Sequence, residues 1–346
     1  MIYFNNDYSE GCHSAVLKKL IETNMEQTSG YGMDDYCAGA AQKIRQLCGN
    51  DDLAVHFLVG GTQTNLTVIS AALRPHQGVI GAESAHVQVH ETGAIEATGH
   101  KVLSLPSGDG KITAQQIKTA VTAHFADEAA EHMVQPKMVY ISNPTELGTI
   151  YTLAELEEIS KVCKEKDLYL FLDGARLGYG LTAKGNDVSM EDLARLCDVF
   201  YIGGTKVGAM FGEAVVISNP ALAVDFRYLI KQHGGMLAKG RLLGIQFCAL
   251  LEDGLYFKIA AHANTLADQI RTALSNLGYD LLVPGTTNQI FPILPDALLS
   301  KLRERFSFTE QQRMDESHRA VRFCTSWATT QENVDALCHA LEELWR

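Results

Sequence analysis

The sequence predicts an α/β fold around a mostly parallel sheet, and three observations support this prediction. Short apolar runs alternate with amphipathic helical patterns along most of the chain, which is the order that βαβ units produce. Several of these runs are apolar at successive positions, as in strands covered on both faces. After about residue 245 the pattern changes to long helices and short strands, which predicts a second, smaller α+β domain.

Five apolar runs are predicted to form strands: Val55–Val59, Met138–Ile141, Leu168–Leu172, Val199–Ile202 and Ala214–Ile217. The best-marked helix between them is predicted over Thr152–Lys166. Thr152 and Glu155 have capping-box spacing, and Leu156 and Ile159 lie on one apolar face. Strands and helices in this order favour a parallel sheet flanked by helices.

The C-terminal part of the chain is predicted to form the smaller domain, residues 246–346, after a large domain over residues 1–245 that includes an N-terminal arm. Its predicted elements are an apolar helix over Leu242–Leu251, a helical stretch over Lys258–Leu277, short strands near Asn288–Leu294 and Ala320–Cys324, and a last helix over Gln331–Arg346. No internal repeat interrupts this order.

Composition excludes several classes of protein. The formal net charge is −12 over 346 residues, and without a Lys/Arg cluster we expect no nucleic-acid partner. The eight cysteines form no C-x-x-C pair, so reduced thiols and a cytoplasmic location are expected. The first residues lack a signal-peptide pattern, and no apolar run is long enough for a bilayer, so no membrane partner is expected.

A glycine-rich turn follows the first predicted strand. Gly60 and Gly61 allow close approach of a ligand, Thr62 adds a hydroxyl, and a helix is predicted from Asn65 to Leu73. The free N–H groups and dipole of a helix start attract a phosphate. An ordinary strand–helix turn is the alternative interpretation.

A second motif, Asp173-Gly174-Ala175-Arg176, ends the strand predicted over Leu168–Leu172. Open α/β sheets bind ligands at this edge, and a carboxylate buried there needs a cationic partner. A protonated pyridine nitrogen would serve, and the ion pair would keep the ring an electron sink. The alternative is a structural Asp–Arg pair.

Lys206 follows the strand predicted over Val199–Ile202, among small residues. A lysine in a tight, desolvated site has a lowered pKa and can form a Schiff base, and Thr205 beside it could bind a phosphate. A solvent-facing lysine is the alternative. His86 and His90 have i, i+4 spacing without a matching third ligand, so no metal is predicted. His86 is interpreted as stacking on an aromatic cofactor and His90 as a helix-surface residue.

The order of these motifs supplies the parts of a pyridoxal-phosphate site: a phosphate turn, a stacking histidine, a carboxylate at a strand end, and a lysine after a later strand. On these residues, and on Tyr31-Gly32-Met33-Asp34 and the segment Val321–Trp327, the chain resembles the threonine aldolase family. That family belongs to the fold type I, aspartate-aminotransferase-like, pyridoxal-phosphate enzymes. The resemblance implies a three-layer α/β/α large domain and a homodimer or homotetramer with shared active sites.

The resemblance also implies residue roles. Lys206 would carry the cofactor, Asp173 would pair with its nitrogen, and His86 would stack on its ring. The predicted cofactor-binding residues are Gly60, Gly61, Thr62, His86, Asp173, Thr205, Lys206 and Lys239. The predicted substrate-binding residues are Asn6, Tyr31, Arg176 and Arg322, of which the two arginines suit a carboxylate and Tyr31 would act at a neighbouring subunit.

Two positions depart from the family pattern. Many members have a second histidine in the segment that here reads Ser142-Asn143-Pro144-Thr145-Glu146, where Thr145 or Glu146 could replace it. No subunit-crossing phosphate arginine is plain, and either Lys239 or Arg241 could take that place.

The predicted activity is cleavage of L-threonine, L-allo-threonine or a related β-hydroxy-α-amino acid to glycine and an aldehyde. The base would be His86 or a water near it. Two alternatives stay open: a β-eliminating lyase that breaks a Cβ–X bond, and a non-catalytic homologue that binds the cofactor or an amino acid.

Overall fold

The computed structural model describes residues 1–344, so Trp345 and Arg346 lie outside the described part of the chain. Its largest sheet has seven strands in the order β2-β8-β7-β6-β5-β3-β4. These strands are β2 (Ala54–Leu58), β3 (Gln77–Ala82), β4 (Val102–Leu105), β5 (Gln135–Ser142), β6 (Tyr169–Asp173), β7 (Val199–Gly203) and β8 (Glu213–Ile217). Strand β8 runs antiparallel to both its neighbours, while the pairings from β7 to β4 are parallel.

The remaining strands form two smaller sheets. They are β1 (Ile2–Tyr3), β9 (Gln289–Ile290), β10 (Ile293–Pro295), β11 (Phe306–Ser307), β12 (Thr309–Arg313) and β13 (His318–Cys324). Strand β13 pairs antiparallel with β9, β10 and β12. Strand β1 pairs parallel with β11, so the chain start joins the C-terminal part.

Helices cover the large sheet and complete the C-terminal part. They are α1 (Ser14–Glu22), α2 (Asp35–Leu47), α3 (Gly61–Ala72), α4 (His86–Val89), α5 (Ala94–Ala97), α6 (Ala114–Ala126), α7 (Leu153–Glu165), α8 (Leu177–Leu181), α9 (Met190–Leu196), α10 (Pro220–Ala223), α11 (Phe226–Gln232), α12 (Arg241–Leu251), α13 (Leu255–Asn276), α14 (Asp296–Leu302) and α15 (Gln331–Leu344). Short 3₁₀ turns span Ala130–His132 and Glu252–Gly254.

The large sheet is buried on both faces, because every residue of β3, β7 and β8 is buried. Helices α6, α7 and α9 pack against one another and against the sheet, while α12 packs against α2, α1 and β2. The predicted α/β fold with a mostly parallel sheet is confirmed.

Helix α7 begins where its sequence predicts. Thr152 Oγ accepts the Glu155 backbone N–H, and the Glu155 carboxylate accepts the Thr152 N–H, which is the predicted capping box. Other predicted ends shift by one to a few residues. Helix α13 begins at Leu255 rather than Lys258, and the end of the last predicted helix lies outside the described residues.

The predicted start of α3 at Asn65 is wrong. The helix begins at Gly61, with Gly60 in an extended N-cap conformation (φ −176°, ψ 166°). A glycine N-cap needs no side chain to begin a helix, so the glycine-rich turn and the helix start are the same feature. The correction places Gly60, Gly61 and Thr62 directly at the helix N-terminus.

The described residues form two buried hydrophobic clusters. The first lies around the large sheet and includes Phe247 and Ala263, while the second runs from Leu266 to Leu341 and includes Phe4. The predicted domain boundary between residues 245 and 246 stays a proposal. The two hydrophobic clusters meet within α13, between Ala263 and Leu266. The eight cysteines are free thiols, and no helix of residues 1–344 combines the length and apolar character needed to cross a bilayer.

Candidate active site

The carboxyl ends of the parallel strands meet at one edge of the sheet, where open α/β sheets form ligand clefts. The cleft there is lined by Gly61, His86, Ser142, Pro144, Glu146, Asp173, Ala175, Arg176, Tyr201 and Lys206. Five residues predicted from sequence are thereby brought together: Gly61, His86, Asp173, Arg176 and Lys206.

Asp173 is the last residue of β6 and is buried, at 4% exposure. Its Oδ1 accepts the Ala175 N–H at 2.9 Å, and its Oδ2 accepts Asn65 Nδ2 at 3.2 Å and the Tyr140 hydroxyl. Both oxygens of this buried carboxyl group therefore have hydrogen-bond partners. The turn that follows requires glycine, because a Cβ on Gly174 would lie 1.9 Å from the Tyr201 carbonyl oxygen.

Two buried tyrosines flank this carboxylate. Burial, together with the Asp173 charge, raises the pKa of Tyr140 and of Tyr201 well above the usual range, so both hydroxyls keep their protons. The Tyr201 hydroxyl is buried without a hydrogen-bond partner among the described residues. A Cβ on Gly61 would lie 3.2 Å from that oxygen, so the glycine keeps the space beside it open.

Lys206 lies in the tight loop after β7. The Tyr179 hydroxyl donates to the Lys206 carbonyl at 2.6 Å, and the Val207 N–H donates to the Gly204 carbonyl at 2.9 Å. Burial and the nearby Arg176 charge lower the pKa of Lys206, against the opposing effect of Asp7, Asp173 and Glu213. A lower pKa leaves more of the amine unprotonated and nucleophilic.

Glu213 opens the antiparallel strand β8, so its side chain reaches the same sheet edge, and sequence analysis did not predict it. The residue is 3% exposed, and its carboxylate accepts the Gly204 N–H at 2.9 Å. Burial raises the pKa of Glu213 to about 7, although Thr205 and the Lys206 charge lower it. The site therefore holds a second carboxyl group close to Lys206.

His86 begins α4, just after β3, and its ring Nδ1 lies 2.8 Å from Glu91 Oε1. The same oxygen accepts Asn65 Nδ2 at 2.7 Å. Since Asn65 also contacts Asp173, a continuous set of polar contacts connects the carboxylate at the end of β6 with the His86 ring.

Glu146 lies in the segment without the second histidine and lines the cleft. Its Oε1 accepts the Ser142 hydroxyl at 2.7 Å and the His86 backbone N–H at 3.0 Å. Burial raises the pKa of Glu146, and the Asp173 charge adds to this effect. The Thr145 hydroxyl instead contacts that of Thr149, with 2.7 Å between the oxygens, so of the two candidates to replace the histidine, Glu146 is the one that lines the cleft.

Arg176 forms a two-point ion pair with a buried partner, Asp7. Arg176 Nε and Nη2 lie 2.7 and 3.0 Å from the two Asp7 oxygens, and Asn288 Nδ2 donates to Asp7 at 2.9 Å. Among the described contacts this leaves Nη1 as the Arg176 donor for a ligand. The alternative interpretation, a structural pair between Asp173 and Arg176, is wrong, because the carboxylate that pairs with Arg176 is that of Asp7.

The other predicted substrate-binding residues lie outside the described cleft lining. Arg322 Nη2 donates to the Asn5 carbonyl at 2.8 Å, and the charges of Arg322 and Lys206 add to burial in lowering the pKa of His90. Asn6 Oδ1 accepts the Tyr8 N–H at 2.9 Å. His90 is exposed, but its ring centre is 5.6 Å from that of His86.

The predicted phosphate contacts divide between two loops. At the start of α3 the first intrahelical bond runs from Thr64 N–H to the Gly60 carbonyl, so the N–H groups before it are available to an anion. Thr62 is exposed there. Thr205 Oγ accepts the Gly212 N–H at 3.0 Å, so this hydroxyl already has a partner in its own loop.

Tyr31 and Lys239 do not line the cleft within the described chain. Tyr31 is 47% exposed, with Lys231 Nζ 5.0 Å from its ring centre, and Lys239 is exposed. The Arg241 guanidinium donates to the carbonyls of Glu26 and Asn24. The predicted roles of Tyr31 and Lys239 at a neighbouring subunit stay predictions.

Comparison with known proteins assigns the family. A sequence model of the β-eliminating lyase family matches residues 7–296. A low-specificity L-threonine aldolase from a Pseudomonas species is 32% identical over 342 residues, which cover 97% of this chain and 95% of that protein. The chain belongs to the threonine aldolase family.

Solved structures agree with this membership of the threonine aldolase family. A threonine aldolase from Leishmania major has a TM-score of 0.97 and 47% identity, and the match covers 100% of both chains. An aspartate aminotransferase from Thermus thermophilus has a TM-score of 0.73 at 16% identity, over 99% of this chain and 91% of that one. The second likeness concerns the fold alone, and the predicted fold type I class is confirmed.

The residues of this threonine aldolase family member that sequence analysis missed are mostly partners of the predicted ones. Asp7 directly follows Asn6, Glu91 directly follows His90, and Asn65 lies three residues after Thr62, yet only their contacts in space show what they hold. Tyr140 and Glu213 share one feature in the sequence: each is a polar residue within or next to an apolar run that forms a strand. That signal marks a buried polar group without naming its partner.

Proposed function

We propose that this protein is a pyridoxal-phosphate-dependent aldolase that cleaves L-threonine, L-allo-threonine or related β-hydroxy-α-amino acids to glycine and an aldehyde. The observation that carries the proposal is a single cleft lined by Lys206, Asp173, His86 and Arg176. The names of the Pseudomonas and Leishmania relatives support the choice of substrate.

The residues present fit pyridoxal phosphate. Asp173 offers a buried carboxyl group for a protonated ring nitrogen, and the unpartnered Tyr201 hydroxyl beside Gly61 offers a donor. The open N–H groups at the start of α3 suit a dianionic phosphate. Lys206, with its lowered pKa, would hold the aldehyde carbon. When bound, the cofactor supplies an electron sink for the bond broken at Cα.

Arg176 and Arg322 are proposed to hold the substrate carboxylate. Asp7 fixes the Arg176 guanidinium from one side, at 2.7 and 3.0 Å, and leaves Nη1 for the substrate. A fixed carboxylate orients the substrate, so that the Cα–Cβ bond takes the position from which it breaks.

His86 and Glu146 are proposed to bind the β-hydroxyl and to take its proton. Both line the cleft, and the Glu146 carboxylate accepts the His86 backbone N–H at 3.0 Å. A nitrogen base and a carboxyl group with a raised pKa are suited to move a proton near neutral pH. Release of the aldehyde requires that proton to leave the β-oxygen as the Cα–Cβ bond breaks.

Product analysis tests the proposal against both alternatives. The purified protein, loaded with pyridoxal phosphate, is given L-threonine, L-allo-threonine or L-serine, and glycine, aldehyde, pyruvate and ammonia are measured. Glycine and acetaldehyde in equal amounts from the threonines are expected. Pyruvate and ammonia from serine without glycine formation would favour the β-eliminating lyase, and no product from cofactor-loaded protein would favour the non-catalytic homologue.

Two further properties belong to the proposal. We propose a homodimer or homotetramer in which Tyr31 and Lys239 reach a neighbouring site, which is supported by their exposure away from the cleft of their own chain. We also propose a cytoplasmic location, supported by the free thiols.

A further inference from the structure

Glu91 carries a buried carboxylate behind the proposed site. The residue is 4% exposed and its side chain is fully buried, and it does not belong to the described lining of the cleft. A buried carboxylate is costly unless donors surround it. Both contacts of this carboxyl group are at one oxygen, Oε1: Asn65 Nδ2 donates to it at 2.7 Å, and His86 Nδ1 lies 2.8 Å from it. Oε2 is buried without a partner among the described residues.

This contact decides which His86 nitrogen carries the proton. A carboxylate without a proton can only accept, and in that form of Glu91 the His86 Nδ1 must be the donor in their contact. A neutral imidazole has a single N–H, and with that proton on Nδ1 the other nitrogen, Nε2, is an acceptor. Since His86 lines the cleft and Glu91 does not, Nε2 is the nitrogen left for a ligand there.

Asn65 extends the arrangement to the other end of the site. Its Nδ2 donates to Glu91 Oε1 and to Asp173 Oδ2, at 2.7 and 3.2 Å. Only the amide nitrogen has two protons to give, so the orientation of the amide is fixed by the two carboxylates. The amide oxygen is in turn buried without a partner among the described residues. An unpaired buried acceptor costs free energy, and the two carboxylate contacts on Nδ2 offset that cost.

We propose that Glu91 and Asn65 are positioning residues that hold His86 and Asp173 as one unit. Glu91 keeps His86 in the tautomer whose Nε2 accepts a proton, and Asn65 connects that pair to the carboxylate that faces the cofactor nitrogen. The proposal rests on the proposed function for its kinetic consequences, but the tautomer is a property of the protein without cofactor.

The tautomer is therefore tested on wild-type apo-protein. ¹⁵N-histidine labelling and NMR, with the His86→Asn variant to assign the signal, report which ring nitrogen is protonated at a pH where the ring is neutral. A proton on Nδ1 is expected. A proton on Nε2 would overturn the proposal, whether or not the protein cleaves threonine.

Kinetics of Glu91→Gln test the consequence. Replacing the carboxyl group by an amide should lower kcat for L-threonine cleavage by about 10–100-fold, the range typical of losing a group that orients a metal-binding histidine. KM and the absorbance of the bound cofactor should change little, because Lys206 and Asp173 are untouched. Glu83→Gln is the matched control. Glu83 precedes α4 and is exposed, so the loss of its carboxyl group should leave kcat unchanged.

Asn65→Leu separates the two contacts of Asn65. Because Asn65 touches Asp173 as well as Glu91, this variant should both lower kcat and raise the Kd of apo-protein for pyridoxal phosphate, by about tenfold. Glu91→Gln should leave that Kd unchanged. An Asn65→Leu protein with wild-type cofactor affinity would refute the connection to Asp173.

The outcomes separate this inference from the proposed function. If wild-type protein cleaves threonine and folded Glu91→Gln protein keeps full kcat, the positioning role is wrong and the aldolase stands. If wild-type protein loads cofactor and cleaves nothing, the proposed function fails, while the tautomer and the cofactor affinities still decide the inference. Should Glu91→Gln not fold, the wild-type NMR result decides alone.

Discussion

At the scale of single residues, the departure from the family pattern at Glu146 has the most direct chemical consequence. A carboxyl group occupies the segment in which many family members have a second histidine, and its oxygen contacts Ser142 and the His86 backbone. Burial raises the pKa of Glu146, which brings its titration closer to neutral pH. A carboxyl group with such a pKa can exchange a proton with the substrate hydroxyl, as an imidazole does.

The Glu146→Gln variant tests this role. The amide keeps an acceptor oxygen for Ser142 but cannot take a proton, so kcat/KM for L-threonine should fall by about 100-fold. The relative rates for L-threonine and L-allo-threonine should also change. Because the Glu146 pKa is raised, wild-type kcat/KM should increase with pH as this group ionises, and the variant should lack that increase. Steady-state kinetics over a pH series measure both effects.

Glu158→Gln is the control for that series, since Glu158 is exposed on α7. An unchanged pH profile in Glu146→Gln, with wild-type kcat/KM, would show that Glu146 takes no part in proton transfer.

At the scale of elements, the N-terminal arm is tied to the start of α8 by a buried ion pair. Burial by itself raises the pKa of Asp7, but the charges of Arg176 and Lys206 and the hydrogen bonds from Arg176 and Asn288 outweigh it, so the pKa is below its usual value. A carboxyl group whose pKa is lowered by folding stabilises the fold above its unfolded pKa. That contribution is lost as the pH falls through the folded pKa.

Asp7→Asn leaves Arg176 buried without its charged partner, so the free energy of unfolding should fall by about 3–5 kcal/mol at pH 7. The difference from wild type should narrow as the pH falls below about 4, the unfolded pKa of an aspartate. Urea unfolding at several pH values measures it. Asp52→Asn, at an exposed position, should change stability by less than about 0.5 kcal/mol; an equally small effect for Asp7→Asn would contradict this account.

The same elements indicate what sequence could and could not predict. Asp173 and Lys206 follow runs of apolar residues, so the rule that ligands bind at the carboxyl ends of parallel strands located them. Strand β3 was missed because Gly78 and Gly81 give it a low strand propensity. The structure explains Gly78, since a Cβ there would lie 2.7 Å from the Lys101 carbonyl oxygen.

Contacts between distant parts of the chain were beyond sequence analysis. Asp7 and Arg176 are 169 positions apart, and Asn65 and Asp173 are 108 apart. Helix and strand periodicity describe only neighbours within a few residues, so neither pair leaves a local pattern. The order of the seven strands in the large sheet brings Asn65 and Asp173 together.

At the scale of the whole molecule, the first residues of the chain pack against its C-terminal part. Phe4 is fully buried in the second hydrophobic cluster, with its ring 6.3 Å from that of Phe306 and 6.2 Å from that of Phe323. Its carbonyl accepts the Cys324 N–H at 2.9 Å. The chain is thus anchored in the second cluster three residues before Asp7, which pairs with Arg176.

Phe4→Ala should therefore lower the free energy of unfolding by about 3–5 kcal/mol, as for other buried aromatic residues. Tyr3→Ala is the matched control, since Tyr3 is the neighbouring residue and is 64% exposed, so its loss should cost less than about 0.5 kcal/mol. Denaturant unfolding followed by circular dichroism compares them. Equal stability of the two variants would mean that the chain start does not support the second cluster.

The central claim, that Lys206 carries the cofactor, is tested most directly by borohydride reduction and peptide mapping. Protein loaded with pyridoxal phosphate is reduced and digested, and the peptide with the added cofactor mass is sequenced by mass spectrometry. We expect the modification at Lys206, and a colourless Lys206→Ala protein that releases no glycine from threonine. Modification of a different lysine, or a Lys206→Ala protein that stays yellow and active, would contradict it.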